Sequence, residues 1–299
     1  MIGHPTAEPA AGLPLPPALV VSAQREHGTW WLATLPGTVA RLAREWALDV
    51  QAPFRPGGQT AWVAPVRDRT GAERVLKVGW RHPEAEHETD GLRAWAGHGA
   101  VRLHAAERTG DSSALLVERC RPDTPLTVRP EPVQDEVVAG LLRRLWIVPP
   151  AGHPFRSLRA MCAQWAEEFS AQVAVRPDVV DPGLAREGMA LFRELPADAD
   201  RSVLLVTDLH AGNVLAAERE PWLVIDPKPH VGDPAYDATQ HLLNCTERLQ
   251  ADPAGLVDRM ADLLEVDRVR LRRWLFARCV QESPGDSPLA AIARRLPID

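Results

Sequence analysis

The sequence predicts an α+β chain of two lobes, a small β-rich N-terminal lobe followed by a larger helical C-terminal lobe. Three features carry this. Apolar runs of strand length, separated by turn residues, crowd residues 60–118; helical periodicity dominates beyond residue 134; and a stretch rich in Pro and Asp, 120–132, divides the two. At 299 residues, with 45% hydrophobic and 25% charged, the chain is long enough for a sizeable core.

Taken in order, residues 1–18 are rich in Pro, Ala and Gly and read as a flexible tail. The N-terminal lobe is expected over 19–119, with a leading helix at 38–46 whose apolar positions recur at helical spacing. Strands at 60–66 and 74–78 are joined by the hairpin turn Arg67-Asp68-Arg69-Thr70-Gly71. A helix at 83–96 has Pro83 in its first turn and Gly97 closing it, and strands at 100–103 and 114–118 follow. The C-terminal lobe, 120–299, opens with helices at 134–146, 157–174 and 182–195. Short strands at 203–206 and 222–225, with Val214-Leu215 between them, interrupt the helices, which resume near Tyr236. No internal repeat is present.

Composition narrows the function. A net charge of −6 gives no footprint for nucleic acid. The four cysteines, Cys120, Cys162, Cys245 and Cys279, lie far apart and read as reduced core thiols. No signal peptide and no membrane-spanning run is read from the sequence, so a cytoplasmic protein with no membrane and no obligate protein partner is expected. Of the 34 basic residues only Lys77 and Lys228 are lysine, and both fall inside candidate functional segments.

The strongest chemical signal is Val206-Thr207-Asp208-Leu209-His210-Ala211-Gly212-Asn213, followed by Val224-Ile225-Asp226 at a strand end. A hairpin here presents Asp208 and Asn213 from one loop and Asp226 from the neighbouring strand. Two carboxylates and an amide oxygen form a hard-oxygen set suited to Mg²⁺, with one carboxylate left to take a hydroxyl proton. Phosphoryl transfer needs these parts: positioning, charge neutralisation by metal, and a base that orients the nucleophile.

This run resembles the catalytic loop of the aminoglycoside phosphotransferase family, whose usual form is His-Gly-Asp-Leu-His-x-x-Asn. The segment from Glu220 to Lys228 and the run Val231-Gly232-Asp233-Pro234 further resemble the branch of streptomycin 6-phosphotransferases and hydroxyurea phosphotransferases, and the likeness runs from about Trp30 onward. The resemblance implies a bilobal protein-kinase-like fold with nucleotide clamped between lobes. It implies Asp208 as the catalytic residue, and Asn213 and Asp226 as metal ligands. The chain departs from the pattern where His-Gly is expected, having Val206-Thr207. His210 is expected to brace the loop, and Asp233 and Asp237 to brace the following turn and cap the next helix.

On the nucleotide side, Lys77 sits mid-strand between apolar neighbours, so it needs an anionic partner. The kinase pattern assigns it to the phosphates, paired with a helix glutamate; Glu88 fits best, with Glu84 and Glu86 as other choices. Gly57 and Gly58 lie where a phosphate-covering loop is expected, although a plain hairpin turn explains them about as well. Glu118 and Cys120 fall at the expected hinge, where backbone groups would read adenine. Lys228 is open between a phosphate contact, an acidic partner and a surface position.

The resulting expectation is a phosphotransferase using ATP or GTP with Mg²⁺, whose acceptor is a small hydroxylated molecule: an aminoglycoside of the streptomycin type, or hydroxyurea. Glu167, Glu168, Glu247 and Glu282 are candidates for an acidic wall facing a polycation. A metabolite kinase for an amino alcohol or a sugar uses the same loop, and a catalytically inactive nucleotide-binding module that regulates a partner is the reading of a different class.

Overall fold

The computed structural model describes residues 12–25, 28–284 and 287–298. Its chain divides into two compact units, one of residues up to 89 together with 101–119, the other of 90–100 together with 120 onward.

The N-terminal unit opens with helices α1 (Pro17–Arg25) and α2 (Thr29–Glu45), then strands β1 (Asp49–Val50), β2 (Ala61–Arg67) and β3 (Glu73–Trp80). Helix α3 (Glu88–Trp95) begins in this unit and continues into the other, before β4 (Leu103–Thr109) and β5 (Ser112–Glu118). The strands form one antiparallel sheet in the order β1-β2-β3-β5-β4. Alternation buries Trp62, Ala64, Val66, Leu76 and Val78 against Trp31, Leu35, Val39 and Leu42 of α2, and sends Lys77 to the opposite face. The β2–β3 turn is built as predicted: Asp68 accepts from the backbone N–H of Thr70 at 2.9 Å and of Ala72 at 3.0 Å.

Three elements differ from expectation. Helix α2 begins nine residues earlier than predicted, reading through Pro36-Gly37, because Trp31, Leu35, Val39 and Leu42 form one continuous stripe on the sheet. The predicted helix over 83–96 is a short 3-10 turn at Pro83–Ala85 followed by α3, with Ala96 and Gly97 both at positive φ to end it. Strand β4 lies beyond the predicted 100–103, since an edge strand carrying His104, Glu107 and Arg108 has no apolar run to announce it. Of the expected tail, residues 1–11 lie outside the described residues. Leu13 and Leu15 pack on the core, Trp62 Nε1 donates to the Pro14 carbonyl at 3.0 Å, and Pro17 already starts α1.

The C-terminal unit carries α4 (Glu131–Leu145), α5 (Leu158–Val175) and α6 (Pro182–Glu194), then strands β6 (Val203–Leu205), β7 (Val214–Ala216), β8 (Trp222–Val224) and β9 (His230–Gly232). Helices α7 (Thr239–Asn244), α8 (Thr246–Ala251), α9 (Pro253–Leu264), α10 (Arg268–Glu282) and α11 (Ser287–Ala293) complete it. Side-chain caps start the helices where the sequence offers them: Ser157 for α5, Asp181 for α6, Asp252 for α9 and Asp267 for α10. Helix α10 is the central post, burying Leu271, Trp274, Leu275, Phe276 and Val280; Gly188 of α6 permits its approach, since a Cβ there would lie 2.7 Å from Val280. The two small β-pairs, β6 with β9 and β7 with β8, carry the chemistry-bearing loops. The four cysteines are buried and none is in a disulfide, and among the described residues no helix is long and apolar enough to cross a membrane.

Candidate active site

The loop between β6 and β7 holds Asp208 through backbone geometry. Thr207 adopts φ +54°, a left-handed conformation costly for a branched residue, and the Asp208 N–H donates to the Val206 carbonyl at 2.8 Å. Compensation comes from Asp237, whose carboxylate accepts from Val206 N at 3.0 Å, from Thr207 N at 2.6 Å and from Trp146 Nε1 at 3.0 Å. The Thr207 hydroxyl donates to the Lys228 carbonyl at 2.5 Å. Four hydrogen bonds therefore hold a conformation that glycine would adopt freely, which is how the chain accommodates threonine at this position.

Asp237 is fully buried, and burial pushes its carboxyl up to about 6 despite the three donors that favour the charged form. It does not cap α7, whose N-cap is Ala238. The expected capping role is corrected to one of holding the catalytic-type loop. Asp233 does brace the turn: it accepts from Ala235 N at 2.9 Å, and its second oxygen takes Arg270 Nε and Trp274 Nε1, both at 2.5 Å.

Asn213 closes the loop. Its amide nitrogen donates to the Asp208 carbonyl at 2.9 Å, which leaves its oxygen as the atom it can offer a cation. The Asn213 carbonyl accepts from Ile225 N at 2.9 Å, so the next residue, Asp226, emerges beside it, exposed and at φ +53°. An amide oxygen next to an exposed carboxylate is a donor set that fits Mg²⁺. His210 accepts at Nδ1 from Gly212 N at 3.1 Å, a bond that requires the neutral ring, and burial lowers its pKa accordingly. Lys228, left open by the sequence, is ion-paired with Asp208, Nζ to Oδ2 at 3.0 Å.

In the N-terminal unit Lys77 meets both oxygens of Glu88 at 2.7 Å, and both side chains are mostly buried. Of the three glutamates the sequence offered, Glu88 is the one brought to Lys77; Glu86 pairs with Arg81 and Arg108 instead.

A family of sequences described as aminoglycoside/hydroxyurea antibiotic resistance kinases matches residues 46–284. The chain belongs to that family. Streptomycin 6-kinase of Streptomyces griseus is 39% identical over 90% of the chain and 89% of its own length. Hydroxyurea phosphotransferase of Kitasatospora aureofaciens is 38% identical over 89% of the chain and 78% of its own. Among solved structures, a choline kinase from Streptococcus pneumoniae matches with TM-score 0.57 at 10% identity, over 86% of this chain and 89% of that one. A macrolide 2'-phosphotransferase from Brachybacterium faecium matches with TM-score 0.55 at 18% identity, over 87% and 97%. At such identities the two establish a shared fold, the protein-kinase-like fold expected from the sequence. The chain is an antibiotic-resistance-type phosphotransferase.

The remaining residues of this kinase fall as follows. Gly57, at φ +87°, faces Pro16, whose Cβ would lie 2.4 Å from an added Cβ, so close chain packing already demands glycine there. A Cβ on Gly58 would stand 3.0 Å from the Ala61 carbonyl. Glu118 ends β5; its N–H donates to the Arg102 carbonyl and its carboxylate accepts from Arg102 N. Cys120 follows, buried, as the first residue of the second unit after the crossing. Of the four acidic-wall candidates, Glu168 and Glu282 line one cavity of about 370 Å³, but Arg176 lines it too and Arg278 pairs with Glu282 at 3.1 Å; Glu167 and Glu247 do not line it. The bracing by Asp237 was not legible in the sequence, because nothing local marks a contact spanning 30 residues.

Proposed function

We propose that this kinase moves the γ-phosphoryl group of ATP or GTP onto a hydroxyl of an aminoglycoside of the streptomycin type. What supports the acceptor is the identity to streptomycin 6-kinases at 39% and 36% over most of the chain. Hydroxyurea is the second acceptor reading, favoured by the 38% identity to a hydroxyurea phosphotransferase.

The observation that carries the chemistry is Asp208 on a loop pinned at Val206, Thr207 and Asn213. In this reading Asp208 orients the acceptor hydroxyl and takes its proton as the oxygen attacks phosphorus. Asn213 and Asp226 would hold Mg²⁺, which supplies charge neutralisation at the phosphates. Lys77, kept in place by Glu88, steadies the nucleotide phosphates. Gly57 and Gly58 lie in the loop that covers them, and backbone groups at Glu118 and Cys120 read the base. A pinned loop contributes rate because reacting groups need no further ordering.

The test is Asp208→Asn. The variant should lose about 10³-fold in turnover, within the range for a positioned base, while binding nucleotide as the parent does. Phosphorus NMR of the parent reaction should show one phosphate monoester on the acceptor. Retained turnover in the variant would sink the assignment.

A further inference from the structure

The Lys228–Asp208 pair has a consequence for phosphoryl transfer. The Lys228 ammonium stands 3.0 Å from Oδ2 of the carboxylate read as orienting the acceptor hydroxyl, so it lies beside the point where the hydroxyl oxygen would meet phosphorus. From that place the ammonium can turn from one anion to another. The group that can draw it is the phosphoryl being transferred, which carries more negative charge than a single carboxylate.

Lys228 is built to make such a move with its side chain alone. Its backbone is fixed on both sides: its N–H donates to the Val206 carbonyl at 3.0 Å, and its own carbonyl accepts from the Thr207 hydroxyl at 2.5 Å and faces His230 Nδ1 at 3.0 Å. The flanking Pro227 and Pro229 are buried, and Pro229 packs so closely on α3 that a Cβ on Gly91 would lie 2.3 Å from its ring. The ammonium end is different. It lies on a partly exposed side chain, 32% accessible, beside a carboxylate that is 18% accessible. A fixed backbone and a partly exposed ammonium describe a side chain that can turn between two anions. Residue choice agrees. In a chain whose basic residues are otherwise arginine apart from Lys77, position 228 holds the compact point charge rather than the planar fork that locks onto one carboxylate.

We propose that Lys228 is a second catalytic cation, which leaves Asp208 for the transferred phosphoryl group as that group moves. The step balances as follows. The acceptor oxygen forms its bond to the γ-phosphorus while the bond from that phosphorus to the β,γ-bridging oxygen breaks, and that electron pair departs with the nucleoside diphosphate. The hydroxyl proton goes to the Asp208 carboxylate and is later lost to water. The Lys228 ammonium stays protonated throughout and changes only the anion it faces, stabilising charge where it develops.

This inference rests on the phosphotransferase reading of Asp208, and the test separates the two. Steady-state kinetics with the acceptor that the parent uses would compare Lys228→Met, Lys228→Arg and Asp208→Asn across pH 5.5–9, with thermal melting of each to verify folding. Lys228→Met should lower kcat on the pH plateau by about 10²-fold while the nucleotide KM changes less than about threefold, as expected of an interaction made in the transition state. Lys228→Arg, which keeps the charge, should recover to within about tenfold of the parent. Should Lys228→Met keep the parent's plateau kcat, Lys228 belongs to the resting site alone, and the proposal is overturned. A Lys228→Arg variant as slow as Lys228→Met, with both folded, overturns it as well. If Asp208→Asn turns over like the parent, the underlying reading fails and this inference falls with it.

Discussion

The backbone N–H of Thr207 donates to Asp237 Oδ1 at 2.6 Å, and through this contact a buried carboxylate 30 residues downstream fixes the φ +54° conformation just ahead of Asp208. Replacing Asp237 by Asn keeps the shape but turns an amide nitrogen toward one of three donors. A buried donor left without an acceptor costs about 1–3 kcal/mol. Asp237→Asn should therefore melt at a lower temperature at neutral pH and lose at least about tenfold in kcat, with nucleotide affinity little changed.

The same residue sets a pH dependence of stability. In the fold its carboxyl titrates at about 6, above its ordinary value of 3.8. The folded chain thus keeps a proton that the unfolded chain releases, and the stability linked to this group is present below about pH 4 and lost as pH rises toward 6. That difference corresponds to roughly 3 kcal/mol. Denaturant melts of the parent and of Asp237→Asn between pH 4 and 8 check it: the parent carries this pH-linked loss and the variant lacks it. Identical pH slopes would contradict the assignment.

Asp135 behaves in the opposite sense. It is fully buried on α4, and although burial works against its charge, His241 Nε2 at 2.9 Å, Arg248 at 2.7 Å and Arg259 at 2.8 Å hold its pKa well below the usual carboxylate range. Its stabilisation is present above about pH 4 and lost as acid protonates it. Asp135→Asn takes from Arg248 and Arg259 their buried partner, leaving only the more exposed Glu131 and Glu136, and should cost about 3 kcal/mol at pH 7. With kcat per folded molecule unchanged, the loss appears in the denaturation midpoint alone.

Lys77 and Glu88 form the other charged pair, at 2.7 Å to both carboxylate oxygens. Lys77→Met should raise the nucleotide KM at least about tenfold and also destabilise, because it strands a buried carboxylate. Glu88→Gln should give a smaller effect. The double variant should cost less than the sum of the two, a non-additivity that a double-mutant cycle in nucleotide titrations measures.

Much of this was legible in the sequence where local chemistry dictates structure. The β2–β3 turn follows from Asp68 and Gly71, helices α5 and α6 from the periodicity that begins at 157 and 182, and the loop around Asp208 from its spacing to Asn213. Lys77 announced an anionic partner because a mid-strand ammonium cannot go unpaired. What stayed hidden depends on tertiary contact. The helix expected from 38 starts at Thr29, because the burial of Trp31 and Leu35 carries α2 through Pro36 and Gly37. Strand β9 is three residues long and exists because β6 offers an edge to pair with. Asp237 reads as a helix cap, and only the fold turns its carboxylate toward Val206 and Thr207. Lys228 lies 20 residues from Asp208, so no periodicity joins them.

The central claim is that this chain transfers a nucleotide phosphoryl group to a small acceptor through Asp208. Its most direct test is nucleoside diphosphate release by the purified protein with Mg²⁺ and ATP or GTP, in the presence of streptomycin, a second aminoglycoside, hydroxyurea, choline or no acceptor. Release that depends on streptomycin or hydroxyurea, and is abolished by Asp208→Asn, is the predicted result. Nucleotide binding with no acceptor-dependent release under any condition, or release that survives Asp208→Asn, would contradict it.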